Sequence, residues 1–231
     1  MKKILRILGA AAILGATASA SALSFDFYKL DKANNPVTDF LPSSPYVTSS
    51  NDALGDPLLQ YTVDGVVVTA TATFNGAAAH AVQDSTKDWD DVHGAGLGVY
   101  KTRTPIDLGD DNIDSGEKLI LTFNRVVTLT RILLRADGHN ITNWADGATF
   151  LLNGTSYNLP KNVGYIDGSW TGSVFTFMHS GIGPASETGS EVSHDFYVAG
   201  LKVNVPDTGS TIALLGLGLL GLAAASRRKH S

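Results

Sequence analysis

Residues 66–73 read Val66-Val67-Val68-Thr69-Ala70-Thr71-Ala72-Thr73, an alternation that puts Thr69, Thr71 and Thr73 on one face of an extended chain. A period of two marks a half-buried strand, and β-branched side chains suit that geometry. The pattern recurs in Leu119-Ile120-Leu121-Thr122-Phe123 and in Val127-Thr128-Leu129-Thr130-Arg131-Ile132-Leu133-Leu134. Working outward, strand-like runs cover 59–63, 66–74, 96–100, 118–123, 127–135, 149–152, 174–178 and 196–203. Asp64-Gly65, Asn75-Gly76, Asp137-Gly138, Asn153-Gly154 and Asp167-Gly168 stand among them, pairs suited to tight reversals that need positive φ. The best helical candidate, 77–82, is under two turns long. Short strands punctuated by turn signals predict an all-β, antiparallel β-sandwich of jelly-roll-like form over residues 23–203. The polar stretch 34–56 reads as its longest surface loop.

The 231-residue chain carries 17 basic and 22 acidic residues and no cysteine. Lys2, Lys3, Arg6, Arg227, Arg228 and Lys229 all lie at the chain ends, which leaves 11 basic residues between them. All the acidic residues except Asp207 lie in that middle region, so its net charge is near −10. Phosphate binding needs the opposite sign, and no nucleic acid is expected as a partner. The absence of cysteine excludes a disulfide framework, thiolate metal sites and a cysteine nucleophile.

Residues 1–22 have the order of a secretory signal peptide: a positive start, a short apolar run over 7–15, then small residues. Ala20-Ser21-Ala22 and Ala18-Ser19-Ala20 each offer signal peptidase a cleavage site. The apolar run falls short of the roughly 20 residues that span a bilayer. The far end, 204–231, opens with Val205-Pro206-Asp207-Thr208-Gly209, continues as an uncharged run over 211–226, and closes on Arg227, Arg228 and Lys229. This is the order of a stop-transfer element, an apolar transmembrane helix held by a basic cytoplasmic end. Sixteen residues rise about 24 Å as a helix, against a hydrocarbon core of about 30 Å. The predicted helix is thus short for a permanent anchor. It is long enough for transient membrane insertion while the motif at 205–209 is presented to a membrane enzyme.

The three-part tail resembles the VPDSG-type PEP-CTERM sorting signals that exosortases process in Gram-negative bacteria. Val205-Pro206-Asp207-Thr208-Gly209 and the glycine-punctuated run Leu214-Leu215-Gly216-Leu217-Gly218-Leu219-Leu220-Gly221-Leu222 carry the resemblance. Thr208 stands where that type usually has Ser, and it keeps the hydroxyl. Pro-Asp-Thr-Gly also looks like a sortase signal of the Leu-Pro-x-Thr-Gly kind, in which Thr208 would be the acyl donor to peptidoglycan. On either reading the chain is the substrate of a sorting enzyme. A second resemblance, to the ectodomains of PEP-CTERM proteins, covers Gly96-Leu97-Gly98-Val99, the acidic turn Asp111 to Glu117 and the strand ending at Phe123. The resemblance implies an inner-membrane stage followed by the cell surface or an extracellular matrix, with the exopolysaccharide of a biofilm as the setting.

Within the middle region, Asp107, Asp110, Asp111, Asn112, Asp114 and Glu117 are the densest set of hard oxygen donors, the ligand type calcium takes. The spacing is not that of an EF-hand, and a solvated turn whose carboxylates cap backbone amides is the favoured reading. No other cofactor is expected. Trp89, Trp144, Trp170 and Tyr165 stand among loop-type residues and supply the flat faces that stack on sugars. Closing the ends of the core is the favoured role for each of them. No Gly-x-Ser-x-Gly, His-Glu-x-x-His or phosphate-cradling loop is present, and the histidines are scattered. The expectation is a non-catalytic structural, adhesive or glycan-associated protein. The rival is a polysaccharide-active hydrolase with two carboxylates brought together by the fold.

Overall fold

The computed structural model describes residues 21–28, 46–47, 53–54, 58–84, 95–101, 112–136, 139–142, 144–180 and 194–206, with backbone alone at 46–47, 53–54 and 84. Among them are twelve strands and no helix. In chain order these are β1 (Ser21–Asp26), β2 (Tyr46–Val47), β3 (Ala53–Leu54) and β4 (Leu59–Val63). Next come β5 (Val66–Phe74), β6 (Ala77–Asp84), β7 (Gly96–Tyr100) and β8 (Glu117–Ala136). The last are β9 (Thr149–Leu152), β10 (Thr155–Asn158), β11 (Tyr165–His179) and β12 (Phe196–Val205). Residues Ala22–Val205 form one compact unit. Of the other unit, Met1–Ser21 with Pro206–Ser231, only Ser21 and Pro206 are described.

The alternation over 66–73 is realised in full, with Val66, Val68, Ala70 and Ala72 buried and the threonines on the outer face. Three of the turn signals form hairpin reversals in which both residues have positive φ: Asp64 and Gly65 (48° and 73°), Asn75 and Gly76 (48° and 81°), Asn153 and Gly154 (50° and 80°). Positive φ at both positions matches the turn twist to that of the paired strands. Asp137-Gly138 lies outside the described residues. Asp167-Gly168 does not reverse the chain: both residues lie within β11, where the register slips between Asp167 and Trp170. There the Trp170 ring occupies the space a side chain at Gly168 would need. Residues 77–82 belong to β6, because Ala79 and Ala81 present small inward faces between β5 and β7 rather than a helical stripe. The stretch 34–56 contains β2 and β3, which pair with each other, and β3 also pairs with β6.

All the recorded ladders are antiparallel. They do not make the two separate sheets of a sandwich. The order β12-β7-β6-β5-β8 closes, because β8 also pairs with β12, and the result is a barrel with further strands attached. The 20-residue β8 makes this closure. Its first half pairs with β5 (Glu117↔Phe74 to Phe123↔Val68), and its second half pairs with β12 (Thr128↔Asn204 to Ala136↔Phe196). Its opposite edge runs along β11, and β9 and β10 extend the sheet beyond that.

The strand turns its corner at Asn124–Val126, three exposed residues that interrupt the β11 ladder. Side chains take over from the backbone at this corner. Asn124 Oδ1 accepts from the Val67 amide at 3.1 Å, while its Nδ2 donates to the Gly65 carbonyl at 3.1 Å. The hairpin between β4 and β5 is thereby stitched to the bend.

One continuous core fills the barrel, and aromatic rings run through it. Phe27 meets Tyr61 at 4.9 Å between centroids, Phe25 meets Phe123 at 5.8 Å, and Phe123 meets Phe175 edge-on at 5.9 Å. Each such ring contributes roughly 1.5–3 kcal/mol by leaving water. The one hydroxyl in this stack, on Tyr61, donates to Gln83 Oε1 at 2.7 Å, and burial pushes its phenol pKa well up.

Gly96 opens β7 with φ at +127°, and an added Cβ would lie 2.6 Å from the Ala199 Cα of β12. Gly65 also has positive φ, at +73°, but open space around it. Gly65→Ala should therefore cost only about 1 kcal/mol of backbone strain. Gly96→Ala must also push two strands apart and should lower Tm by something on the order of 10 °C. Thermal denaturation of the two variants checks this, and equal losses would contradict the close approach of β7 to β12.

Candidate functional site

The acidic segment reaches the structure at its C-terminal end. Asn112 and Ile113 bridge β7 and β12: the Asn112 carbonyl accepts from the Val99 amide at 3.0 Å, and the Ile113 amide donates to the Phe196 carbonyl at 2.8 Å. The chain then turns through Asp114, Ser115 and Gly116 into β8. Glu117 Oε2 caps this turn by accepting from the Asp114 amide at 2.7 Å, and Asp114 Oδ1 accepts from the Ser115 amide. Lys101 Nζ lies 3.8 Å from Asp114 and 4.0 Å from Glu117, so a cation stands beside the buried Glu117 carboxylate. Three of the six candidate calcium ligands, Asn112, Asp114 and Glu117, are thus turn-builders. Asp107, Asp110 and Asp111 lie outside the described residues. Among the described residues no group of three or more His, Asp or Glu side chains is placed to hold a metal ion.

Two histidines that look isolated in the sequence meet near this turn. His179 ends β11 and His194 precedes β12, with ring centroids 6.3 Å apart. His179 Nε2 lies 3.7 Å from Asp195 Oδ1, and both residues are buried. Burial holds the His179 imidazole below its ordinary value of 6.5, and His194 adds to the fall while the Asp114 charge opposes it. Nothing local in the sequence signals this cluster, because strand pairing brings its members together.

The aromatic candidates separate. Trp144 is fully buried and presents no face to a ligand. It packs in the core, and its Nε1 donates to the Asp195 carbonyl at 3.3 Å. This is the core role favoured for it from the sequence, since a large apolar side chain with one satisfied donor is best accommodated inside. Trp170 is half-buried on β11, with its ring edge-on to Tyr157 and its Nε1 donating to the Tyr157 hydroxyl at 2.9 Å. Trp89 lies outside the described residues.

Tyr165 sits on the outer face of β11 beside two charged residues, Arg131 and Asp167, that belong to no sequence motif. The Arg131 guanidinium lies 3.8 Å above the Tyr165 ring centroid. It also makes a forked contact with Asp167, Nε to Oδ1 at 2.6 Å and Nη2 to Oδ2 at 3.0 Å. Arg131 is the register partner of Asp167 on one side and of Lys202 on the other, so one carboxylate on β11 faces two cations, on β8 and β12. The hydrogen bond from Arg131 holds the Asp167 carboxyl below the usual carboxylate range. A ring, a planar guanidinium and a carboxylate are thus held in place on a solvent-facing strand pair.

At the end of β12 the barrel runs straight into the tail. Val205 is the last strand residue and is 8% exposed, and Pro206 follows in the open. Asp207, Thr208 and Gly209 lie outside the described residues, as do the apolar run 211–226, Arg227, Arg228, Lys229 and the N-terminal residues 1–20. No helix among the described residues is long and apolar enough to cross a membrane.

A barrel whose last strand passes without a linker into a Pro-Asp-Thr-Gly segment, an apolar run and a basic end has the organisation of a sorted ectodomain. Residues 204–229 match the family model of the VPDSG-CTERM motif, a sorting domain of the PEP-CTERM type. That motif implies an exported chain, anchored transiently at the membrane and processed by an exosortase-type enzyme. No curated protein and no solved structure matches the chain.

The lowered His179 pKa has a direct consequence for stability. Between that lowered value and 6.5 the unfolded chain takes up a proton that the folded chain refuses. The stability from a neutral His179 is thus complete above pH 6.5 and drains away as pH falls below it. Tm should drop on going from pH 7 to pH 5, and His179→Gln should flatten that part of the profile. Parallel profiles for the two proteins would show that His179 does not govern this window.

Proposed function

We propose that this chain is a surface or extracellular-matrix protein whose barrel has a non-catalytic, adhesive role in contact with glycan. In this reading residues 1–22 are a signal peptide removed by signal peptidase. An exosortase-like enzyme then processes the tail at Val205–Gly209, after the apolar helix and Arg227, Arg228 and Lys229 have halted the chain in the inner membrane. The exopolysaccharide matrix of a Gram-negative biofilm is the setting. The observation that carries the proposal is the match of residues 204–229 to the sorting motif.

The glycan contact is supported by Tyr165, Arg131 and Asp167, which are fixed to one another before any ligand arrives. A pre-ordered ring and fork offer an apolar face with donors and acceptors beside it, at little entropic cost on binding. The acidic character of the middle region suits a neutral polymer better than an anionic one.

The test of processing is intact-mass analysis of the protein from an exosortase-bearing host. The wild type should lose its hydrophobic tail. Pro206→Ala combined with Asp207→Ala should leave the barrel folded and reduce processing roughly tenfold or more, as loss of central recognition groups does. A tail retained by the wild type would overturn the proposal. For the ligand, the processed protein should bind neutral glycans on an array, and Tyr165→Ala should weaken that binding about tenfold. Binding unaffected by Tyr165→Ala would move the contact elsewhere on the barrel.

A further inference from the structure

The matched motif begins at residue 204, whereas the barrel ends at Val205. Asn204 and Val205 belong to both. In the barrel, Asn204 is the register partner of Thr128 on β8, and the Val205 side chain is part of the hydrophobic core. Enzymes that act on a peptide segment take it extended, with its backbone edge open for pairing and its side chains free to enter pockets. A strand residue that is 8% exposed and packed in a core offers no side chain to such an enzyme. The two roles of Val205 therefore exclude one another at any one moment.

Resting on the reading that the tail is processed, we propose that the folded barrel gates its own processing: the sorting enzyme engages Val205 only while the end of β12 is detached from β8. The gate is one rung long. Val203 is fully buried and its partner Leu129 is too, so detachment that reached further inward would open the core. Pro206 reinforces this limit from the other side. It has no amide hydrogen to continue the ladder, so β12 cannot extend into the motif and bury it further.

Two alterations to the full chain separate the roles of Val205. Inserting Gly-Ser-Gly-Ser-Asn-Val between Val205 and Pro206 leaves the barrel its own valine and gives the motif another outside the sheet. Processing followed by pulse–chase in an exosortase-bearing host should accelerate about tenfold, equivalent to an opening equilibrium of ~1.4 kcal/mol. Conversely, Thr128→Cys with Asn204→Cys joins register partners in a chain that has no other cysteine. Oxidation should block processing, and reductant should restore the rate of the Asn204→Cys single variant.

An unchanged rate on insertion, or equal rates with the disulfide closed and open, would overturn the gate. Residues 204–231 fused through a flexible linker to an unrelated exported reporter provide the separate control. Processing of that fusion alongside an insertion without effect overturns the gate alone. An unprocessed fusion overturns the processing reading itself.

Discussion

The backbone N–H and C=O groups of β8 all need partners, and the strand is too long for any one neighbour to supply them. One edge runs along β11, and the other is shared between β5 and β12. This shared edge closes the barrel. The corner at Asn124–Val126 is the point where one neighbour gives way to the other, and the Asn124 side chain bonds backbone groups of the β4–β5 hairpin there. Closure decides which faces are inside. The same strand that buries Leu119, Leu121, Leu129 and Ile132 displays Arg131 outward, and a register shift on the β12 side adjoins Arg131.

Much of this was legible from residue order alone, and what was not legible has a consistent cause. The alternation in β5 and the three reversals with positive φ follow from side-chain period and backbone sterics, which are local. Residues 118–123 and 127–135 read as two strands because Asn124 and Arg125 break the alternation. Their union into β8 depends on β11 lying alongside both, and no short window contains that information. Sandwich or barrel is a question of the same kind, settled by which strands share an edge of β8. Residues 77–82 looked helical because alanine favours helices intrinsically, whereas the space between β5 and β7 selects alanine for its size.

The candidate sites divide along the same line. The tail is a linear signal, readable because its parts act in sequence order. Asp114 and Glu117 cap amides of a turn, as their run of carboxylates suggested, but the bridge that Asn112 and Ile113 make between β7 and β12 appears only in the fold. Trp144 has loop-like neighbours, and its ring takes the core role favoured for it, whereas the partner of its indole N–H is supplied from far along the chain. Arg131 and Asp167 lie 36 residues apart, as do no two members of a short motif, and only their pairing on adjacent strands makes them a unit. His179 and Asp195, both buried, meet the half-buried His194 for the same reason.

The place of β12 in the sheet also sets an order of events. β12 is the last of the described strands, yet it lies between β1 and β7 and pairs with β8 as well. A polypeptide that crosses a membrane from its N-terminus delivers this strand at the very end. Until then β1 lacks its sheet partner and the ring stays open. The ring of the barrel therefore cannot close before β12 is delivered. Closure of the ring and delivery of the sorting motif thus depend on adjoining stretches of chain, which makes 196–209 the place where two timetables meet.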